Sequence, residues 1–174
     1  KSGRHPQTVY QELIDLGIDD ISMEVVGDSE EELFKNAMGH VKTYAEKATI
    51  KLPCTIDGLK ACKRLSAVNV RTNVTLIFSP AQAILASLAG ATYISPFIGR
   101  MDDNSLDGMK LINDIKNTLT TDTKILAASI RDPQSVSTAF ALGADICTVP
   151  TDVFDRMYNH VLTDKGLEQF ERDN

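Results

Sequence analysis

The sequence is poor in the residues from which covalent cross-links and metal centres are built. It has three cysteines, Cys54, Cys62 and Cys147, an odd number with no C-x-x-C pair among them. We therefore expect reduced thiols that fill space in a core rather than disulfides or nucleophiles. The three histidines are scattered, without metal-ligand spacing. The sequence thus predicts no metal site and no cofactor.

Long apolar runs and dense positive charge are also missing. No run approaches the roughly 20 apolar residues that a bilayer span needs, and no signal peptide is recognisable. The net charge of -6 argues against a nucleic-acid binder, because phosphate contacts along a backbone need clustered cations. A local pocket for one phosphate is still compatible with this charge. We expect a cytoplasmic protein that binds neither nucleic acid nor membrane.

What the sequence does contain is an ordinary globular composition with a regular alternation of patterns. With 43% hydrophobic and 24% charged residues, residues 1–174 are expected to form one domain. Short β-branched runs predict strands over 20–26, 48–53, 70–78, 91–97, 124–129 and 145–150. Apolar residues three and four apart predict helices over 5–17, 28–47, 55–67, 79–89, 105–119 and 132–143.

Start and stop signals support these helices. The predicted caps are Asp28 or Ser29, then Thr55, Ser79 before Pro80, and Asp132 before Pro133. Gly90 and Gly143 stand where a helix ends in a left-handed residue.

Strands that alternate with helices predict a parallel sheet covered by helices, either a doubly wound open sheet or a (β/α)8 TIM barrel. No glycine-rich nucleotide-binding pattern occurs, and polar residues recur at the ends of successive strands. We therefore expect an α/β fold of the TIM-barrel type. A closed barrel needs eight strands and only six are predicted, so either the barrel is open or an N-terminal piece is missing.

A single lysine, Lys51, interrupts the apolar strand of "ATIKLP". Dry surroundings lower the pKa of a lysine from about 10.4, which favours the neutral amine that attacks a carbonyl to form a Schiff base. The alternative is a lysine whose ammonium group extends from the strand end into solvent.

Two other predicted strands also carry polar residues among apolar ones. Glu24 lies in the strand before Lys51, so the two ends should adjoin, and its carboxylate either relays protons or forms a structural ion pair. Asn73 and Thr75 are two apart on one strand face. Their amide and hydroxyl suit a substrate hydroxyl or a catalytic water, or they satisfy buried backbone groups.

Two later strands each end in a serine followed by an arginine. Ser95 precedes Arg100, and Ser129 precedes Arg131. Guanidinium groups match phosphate oxygens, so the two pairs together predict a phosphate site, although either arginine alone is more often a surface ion pair.

Several collinear motifs resemble the transaldolase family, specifically its short-chain members. They are "TIKLP", "NVTLIFSPAQA", "ISPFIGRMDD", "LAASIRDP" and "LTDKGLEQF". The resemblance implies a Schiff-base enzyme of the pentose phosphate pathway that transfers a dihydroxyacetone unit between sugar phosphates. It places Lys51 on the Schiff-base lysine, Glu24 on the acid/base glutamate and Thr75 on the threonine that holds a catalytic water.

The same resemblance implies the substrate contacts: Asn73, Ser95, Phe97, Arg100, Ser129 and Arg131 fall on residues that line the substrate and phosphate site. Phe97 falls where the related fructose-6-phosphate aldolases carry tyrosine, and Glu24 where those aldolases tend to carry glutamine. Both residues favour a transaldolase over reversible aldol cleavage.

The front of the family pattern is missing. Neither the L-D-T strand, whose aspartate transfers a proton, nor the T-N-P-S strand is present. The six predicted strands then correspond to strands 3 to 8, and we expect roughly 30 further N-terminal residues, about one β-α-β unit. A truncated, inactive sugar-phosphate-binding or assembly subunit is the alternative to an enzyme.

The C-terminal segment predicts a short helix that begins at Thr163 or Asp164 and carries apolar Leu167 and Phe170. The resemblance implies that such a helix embraces neighbouring subunits in a homo-oligomer, a pentamer or decamer. The alternative is a helix packed on its own barrel.

Overall fold

The computed structural model describes residues 3–173 and contains one parallel sheet of six strands in the order β1-β2-β3-β4-β5-β6. Consecutive strands in the chain are neighbours in the sheet throughout. The strands are β1 Ile21–Glu24, β2 Ala48–Pro53, β3 Thr72–Ile77, β4 Tyr93–Pro96, β5 Lys124–Ala127 and β6 Ile146–Cys147. All six predicted strands are present, although each except β2 is shorter than predicted.

Helices connect the strands and cover one face of the sheet. They are α1 Pro6–Asp15, α2 Glu30–Tyr44, α3 Ile56–Ala67, α4 Pro80–Leu88, α5 Ile98–Asp102, α6 Gly108–Thr118, α7 Pro133–Ala141, α8 Thr151–Arg156 and α9 Val161–Asp173. The main core lies between this helical layer and the sheet, where Ile50, Leu52, Val74 and Ile94 are fully buried.

The alternation of β2 explains why a lysine follows an isoleucine in an apolar strand. Ile50 and Leu52 point to the helices, so Lys51 between them points to the opposite, concave face of the sheet. The apolar character of "ATIKLP" therefore belongs to the helix-covered face, and the lysine belongs to the other.

Local signals placed most helix ends correctly. The side chains of Ser29, Thr55, Ser79 and Asp132 each accept a hydrogen bond from the first turn of the following helix. Gly90 and Gly143 have φ angles of +88° and +105°, the left-handed conformation expected where α4 and α7 end.

Four helices differ from the sequence-based expectation. The short helices α5 and α8 were not predicted, and Arg100 consequently lies on a helix rather than directly after a strand. Helix α6 begins at Gly108 because Asp107 caps it. Helix α9 begins at Val161, ahead of the expected Thr163 or Asp164, and the Leu162 N–H bonds to the His160 ring 3.1 Å away.

The sheet curls into a half-barrel that does not close. Within residues 3–173, β1 pairs only with β2 and β6 only with β5. The fold is an α/β partial TIM barrel with six strands instead of the eight of a closed barrel. None of its helices between residues 3 and 173 has the length and apolar character needed to cross a membrane.

Candidate active site

Parallel pairing aligns the predicted site residues across three neighbouring strands. Glu24 of β1 is opposite Lys51 of β2, and Lys51 is opposite Asn73 of β3. One step further along the strands, Thr75 of β3 is opposite Ser95 of β4. These five side chains therefore share the concave face of the sheet near its carboxyl end.

Lys51 and Glu24 form an ion pair. The Lys51 Nζ lies 3.5 Å from Oε2 of Glu24, and the two side chains are 28% and 65% exposed. The dry surroundings expected for Lys51 are thus not observed, because its strand neighbours face the helices while its own side chain enters a polar concavity. The amine is held at the strand ends beside a carboxylate and remains accessible to a small molecule.

A hydrogen-bonded chain orients the amide of Asn73. The Asn73 Nδ2 donates to the Ser22 hydroxyl at 3.2 Å, and the Ser95 hydroxyl donates to Asn73 Oδ1 at 2.7 Å. Asn73 and Ser95 are both 2% exposed. Three strands are therefore connected through one buried amide directly beside Lys51.

Lys51 and Phe97 each line two cavities. The inner cavity, of about 430 Å³, is lined by Ser22, Lys51, Asn73, Ser95, Phe97, Leu126, Ala128, Ser129 and Thr148. The outer cavity, of about 550 Å³, is lined by Lys51 and Phe97 together with Glu24, Thr75, Arg100 and the loop that follows β1, including Gly27 and Asp28. Both volumes suit a small, polar metabolite.

The hydroxyl of Thr75 is a buried polar group without a partner. Among the side chains of residues 3–173, only Thr75 has such an atom, its Oγ1. Leaving a hydroxyl in this state is unfavourable. Thr75 lines the outer cavity together with Lys51 and Glu24, so a water or a substrate oxygen in that cavity would satisfy it.

The two arginines behave differently. Arg100 lines the outer cavity, and its guanidinium lies 4.9 Å above the ring of Phe97. Arg131 lines neither of these cavities, and its Nη2 instead lies 2.5 Å from Oδ2 of Asp103. The structure thus brings Ser95, Ser129 and Arg100 to the cavities, whereas the side chain of Arg131 turns away from them.

Two residues at the site adopt left-handed backbone conformations that are uncommon for side chains other than glycine. Leu76 has φ of +61° and is an extra residue of β3, since the pairing passes from Thr75 opposite Ser95 to Ile77 opposite Pro96. Ser129 has φ of +63°. Bulges and strained residues of this kind cluster at functional sites.

Sequence reasoning missed several residues of the cavities, among them Ser22, Leu76 and Thr148. Ser22 is two residues before Glu24 on the same strand face, so the period-two rule could have found it. Leu76 carries no comparable signal, because it lies at the bulge of β3, where the alternation of strand faces is interrupted. Thr148 carries none either, because the strand before it, β6, is only two residues long.

The three cysteine thiols line neither cavity. Burial raises the pKa of the Cys54, Cys62 and Cys147 thiols. In the described part of the chain, no group of three His, Cys, Asp or Glu side chains could hold a metal ion.

Fold and site together define a partial β/α barrel with an ion-paired lysine at its strand ends, the end where barrel enzymes carry their active sites. The model of the transaldolase/fructose-6-phosphate aldolase family matches residues 7–174. The chain belongs to this family.

Curated relatives support the assignment over nearly the whole chain. Proteins named probable transaldolase from Paracoccus denitrificans, Caulobacter vibrioides and Lactiplantibacillus plantarum are 48%, 47% and 44% identical to it. Each match covers 99% of this chain and 81% of the relative. The chain therefore spans about four fifths of these relatives.

Among solved structures, FabK from Thermotoga maritima superposes with a TM-score of 0.55 at 15% identity. The match covers 84% of this chain and 47% of FabK. At this identity the likeness shows the fold alone, a partial barrel.

Proposed function

We propose that the protein is a cytoplasmic transaldolase of the pentose phosphate pathway, which transfers a dihydroxyacetone unit between sugar phosphates through a Schiff base on Lys51. One observation carries the proposal: the Lys51 amine stands where the two cavities meet, 3.5 Å from the Glu24 carboxylate. Membership in the family supports the reaction class.

The first half of the reaction builds the Schiff base. The Lys51 amine, after giving a proton to Glu24, attacks the ketose carbonyl and forms a carbinolamine. Glu24 returns the proton to the departing hydroxyl, so water leaves and a protonated imine remains. We propose that the hydroxyl of Thr75, which has no partner within the protein and lines the outer cavity, holds the water that relays this proton.

The second half transfers carbon. The iminium accepts the electron pair of the bond between the carbon atoms α and β to it once a base removes the proton of the β-hydroxyl, and the aldose phosphate leaves. We expect the base to be the aspartate of the N-terminal segment that the family resemblance implies. The enamine on Lys51 then attacks an acceptor aldehyde, whose oxygen takes the proton back from the same base, and water hydrolyses the new imine to release the product ketose and free Lys51. We propose that Asn73, Ser95 and Ser22 hold hydroxyls of the three-carbon unit.

The serines and arginines suit the phosphate end of the substrate. Arg100, Ser95 and Ser129 line the cavities, and a guanidinium with hydroxyl donors matches phosphate oxygens. Arg131 is proposed to complete the group, which requires that it leaves Asp103.

Reversible aldol cleavage is the second candidate, because the family includes fructose-6-phosphate aldolases. Glu24 and Phe97 favour transfer, as the resemblance places glutamine and tyrosine there in the aldolases. Product formation that depends on an added acceptor aldose indicates transfer, and the same rate without an acceptor indicates cleavage.

Borohydride reduction tests the Schiff base. The purified protein is incubated with fructose 6-phosphate and borohydride, and the adduct is located by peptide mass spectrometry. We expect a reduced three-carbon or hexose adduct on Lys51, its loss in Lys51→Ala and its retention in the surface control Lys63→Ala. Binding of the sugar phosphate without any adduct would support the inactive binding subunit instead and would overturn the proposal.

A further inference from the structure

The contact of Arg131 with Asp103 is the feature of the molecule that the proposed function leaves unexplained. Arg131 follows β5 and Asp103 follows α5, so the pair connects two elements at the rim of the site. The Arg131 side chain rests on Gly99, where an added Cβ would come within 2.9 Å of Nε. Gly99 immediately precedes Arg100 of the outer cavity, and Ser129 of the inner cavity is two residues before Arg131.

Arg131 is therefore anchored at the rim of both cavities, but its charged end is bound elsewhere. The Arg131 and Asp103 side chains are 56% and 52% exposed. An ion pair this exposed is weak, because water solvates both partners well. A phosphate group offers the same guanidinium up to two parallel charge-assisted bonds, which are stronger.

We propose that Asp103 is a resting partner of Arg131 that competes with the substrate phosphate and so sets the affinity for phosphorylated sugars. Without phosphate, the Asp103 carboxylate holds the guanidinium away from the cavities. Phosphate binding breaks this ion pair and transfers Arg131 to the phosphate oxygens beside Arg100 and Ser129. Asp103 is a positioning and specificity-determining residue, since it acts only through Arg131. The inference rests on the proposed sugar-phosphate chemistry but not on the Schiff base.

The test measures binding of inorganic phosphate by calorimetry, which requires no catalysis. Asp103→Asn removes the competing charge with little change of shape, and we expect phosphate affinity to rise by roughly two- to fivefold, the strength of one exposed ion pair. In the Arg131→Ala background, Asp103→Asn should have no effect, because the guanidinium for which it competes is gone. Asp114→Asn, which breaks the exposed pair with Lys110 on α6, is the matched charge control and should leave phosphate binding unchanged.

Steady-state kinetics give a second readout. For a phosphorylated acceptor, Asp103→Asn should lower KM by a similar factor with kcat unchanged, and for unphosphorylated glyceraldehyde KM should not move. Equal or weaker phosphate binding in Asp103→Asn would overturn the inference, as would the same increase in the Arg131→Ala background. A borohydride adduct on Lys51 in a protein that binds no phosphate would also overturn it, while leaving the Schiff-base proposal intact.

Discussion

The surroundings of Lys51 differ sharply from those of its two neighbours in the strand. In a parallel strand covered by helices on one face, every second residue meets a different environment. Ile50 and Leu52 have no exposed surface, whereas the Lys51 side chain is 28% exposed and paired with Glu24. The unusual lysine is thus a consequence of barrel geometry, which gives the concave face to polar groups.

Thr75→Val should separate stability from activity. Valine matches the shape of threonine and removes a buried hydroxyl that has no partner within the protein, so the free energy of unfolding should stay constant or rise by up to about 1 kcal/mol. If the hydroxyl holds the catalytic water, kcat should fall by on the order of 10². Thermal denaturation and steady-state turnover measure the two effects.

Thr72→Val is the control on the opposite face of the same strand. The Thr72 hydroxyl is buried 3.3 Å from the Cys62 sulfur, on the helix-covered side. Its loss should lower the free energy of unfolding by about 1 kcal/mol or less and leave kcat unchanged. Equal activity losses in the two variants would remove the proposed role of Thr75.

At the scale of elements, local signals determined most of the fold. Each of the caps Thr55, Ser79 and Asp132 stands where a side-chain oxygen meets the free N–H groups of a helix start, so sequence alone located those helices. The short helices α5 and α8 lack side-chain caps, and they pack against the neighbouring helices α6 and α7, respectively. Sequence patterns of a few residues cannot reveal packing of that kind.

Asp132 should make the stability of α7 depend on pH. Two hydrogen bonds from Ser135 lower the pKa of Asp132, the larger effect coming from its hydroxyl and the smaller from its backbone N–H. A carboxylate with a lowered folded pKa stabilises the fold above its unfolded pKa of about 3.9, and the stabilisation is lost as the pH falls through the folded pKa. Asp132→Ala should therefore cost about 1 kcal/mol near neutral pH, and the cost should shrink at low pH.

Urea unfolding at neutral pH and at about pH 3 measures this difference. Ser79→Ala is the control, because Ser79 also precedes a proline and also caps a helix, but it has no charge to lose. Its cost should be similar and should not depend on pH. Parallel pH profiles for the two variants would argue against a charged cap at Asp132.

Gly99→Ala should disturb the contact between α5 and the loop after β5. A methyl group there would lie 2.2 Å from the Ser129 carbonyl oxygen, so backbone must move, at a cost of about 1–3 kcal/mol. Phosphate affinity should fall with it, because Arg100 and Arg131 flank this contact. Gly39→Ala meets nothing within 4 Å on α2 and should instead raise the free energy of unfolding by about 0.5–1 kcal/mol. Chemical denaturation of both variants gives the sign of each effect.

At the scale of the whole molecule, the sheet topology determines which residues of the site can be predicted from the sequence. Neighbouring parallel strands bring Glu24, Lys51 and Asn73 together by register, so strand order and period two were enough. The position of the Arg131 side chain depends on Asp103, 28 residues earlier on another element. Such a contact leaves no periodic signal, and only three-dimensional structure shows that the second arginine is bound outside the cavities.

The C-terminal helix provides a prediction about assembly. Helix α9 has no buried residue, and Leu162 and Leu167 are 66% and 56% exposed, with Tyr158 before the helix 72% exposed. Apolar surface of this extent on a short terminal helix favours burial against a second copy of the chain. We therefore expect a homo-oligomer in which α9 contacts a neighbouring subunit.

Leu167→Glu places a charge in that contact and should shift the sedimentation-derived mass toward the monomer, most clearly at low protein concentration. Gln169→Glu adds the same charge to α9 without removing an apolar side chain and should leave the assembly intact. Because no residue of α9 lines either cavity, the Lys51 adduct should still form in the dissociated variant. A monomeric wild-type protein, or a Leu167→Glu variant that keeps the full mass of the assembly, would show that α9 serves another purpose.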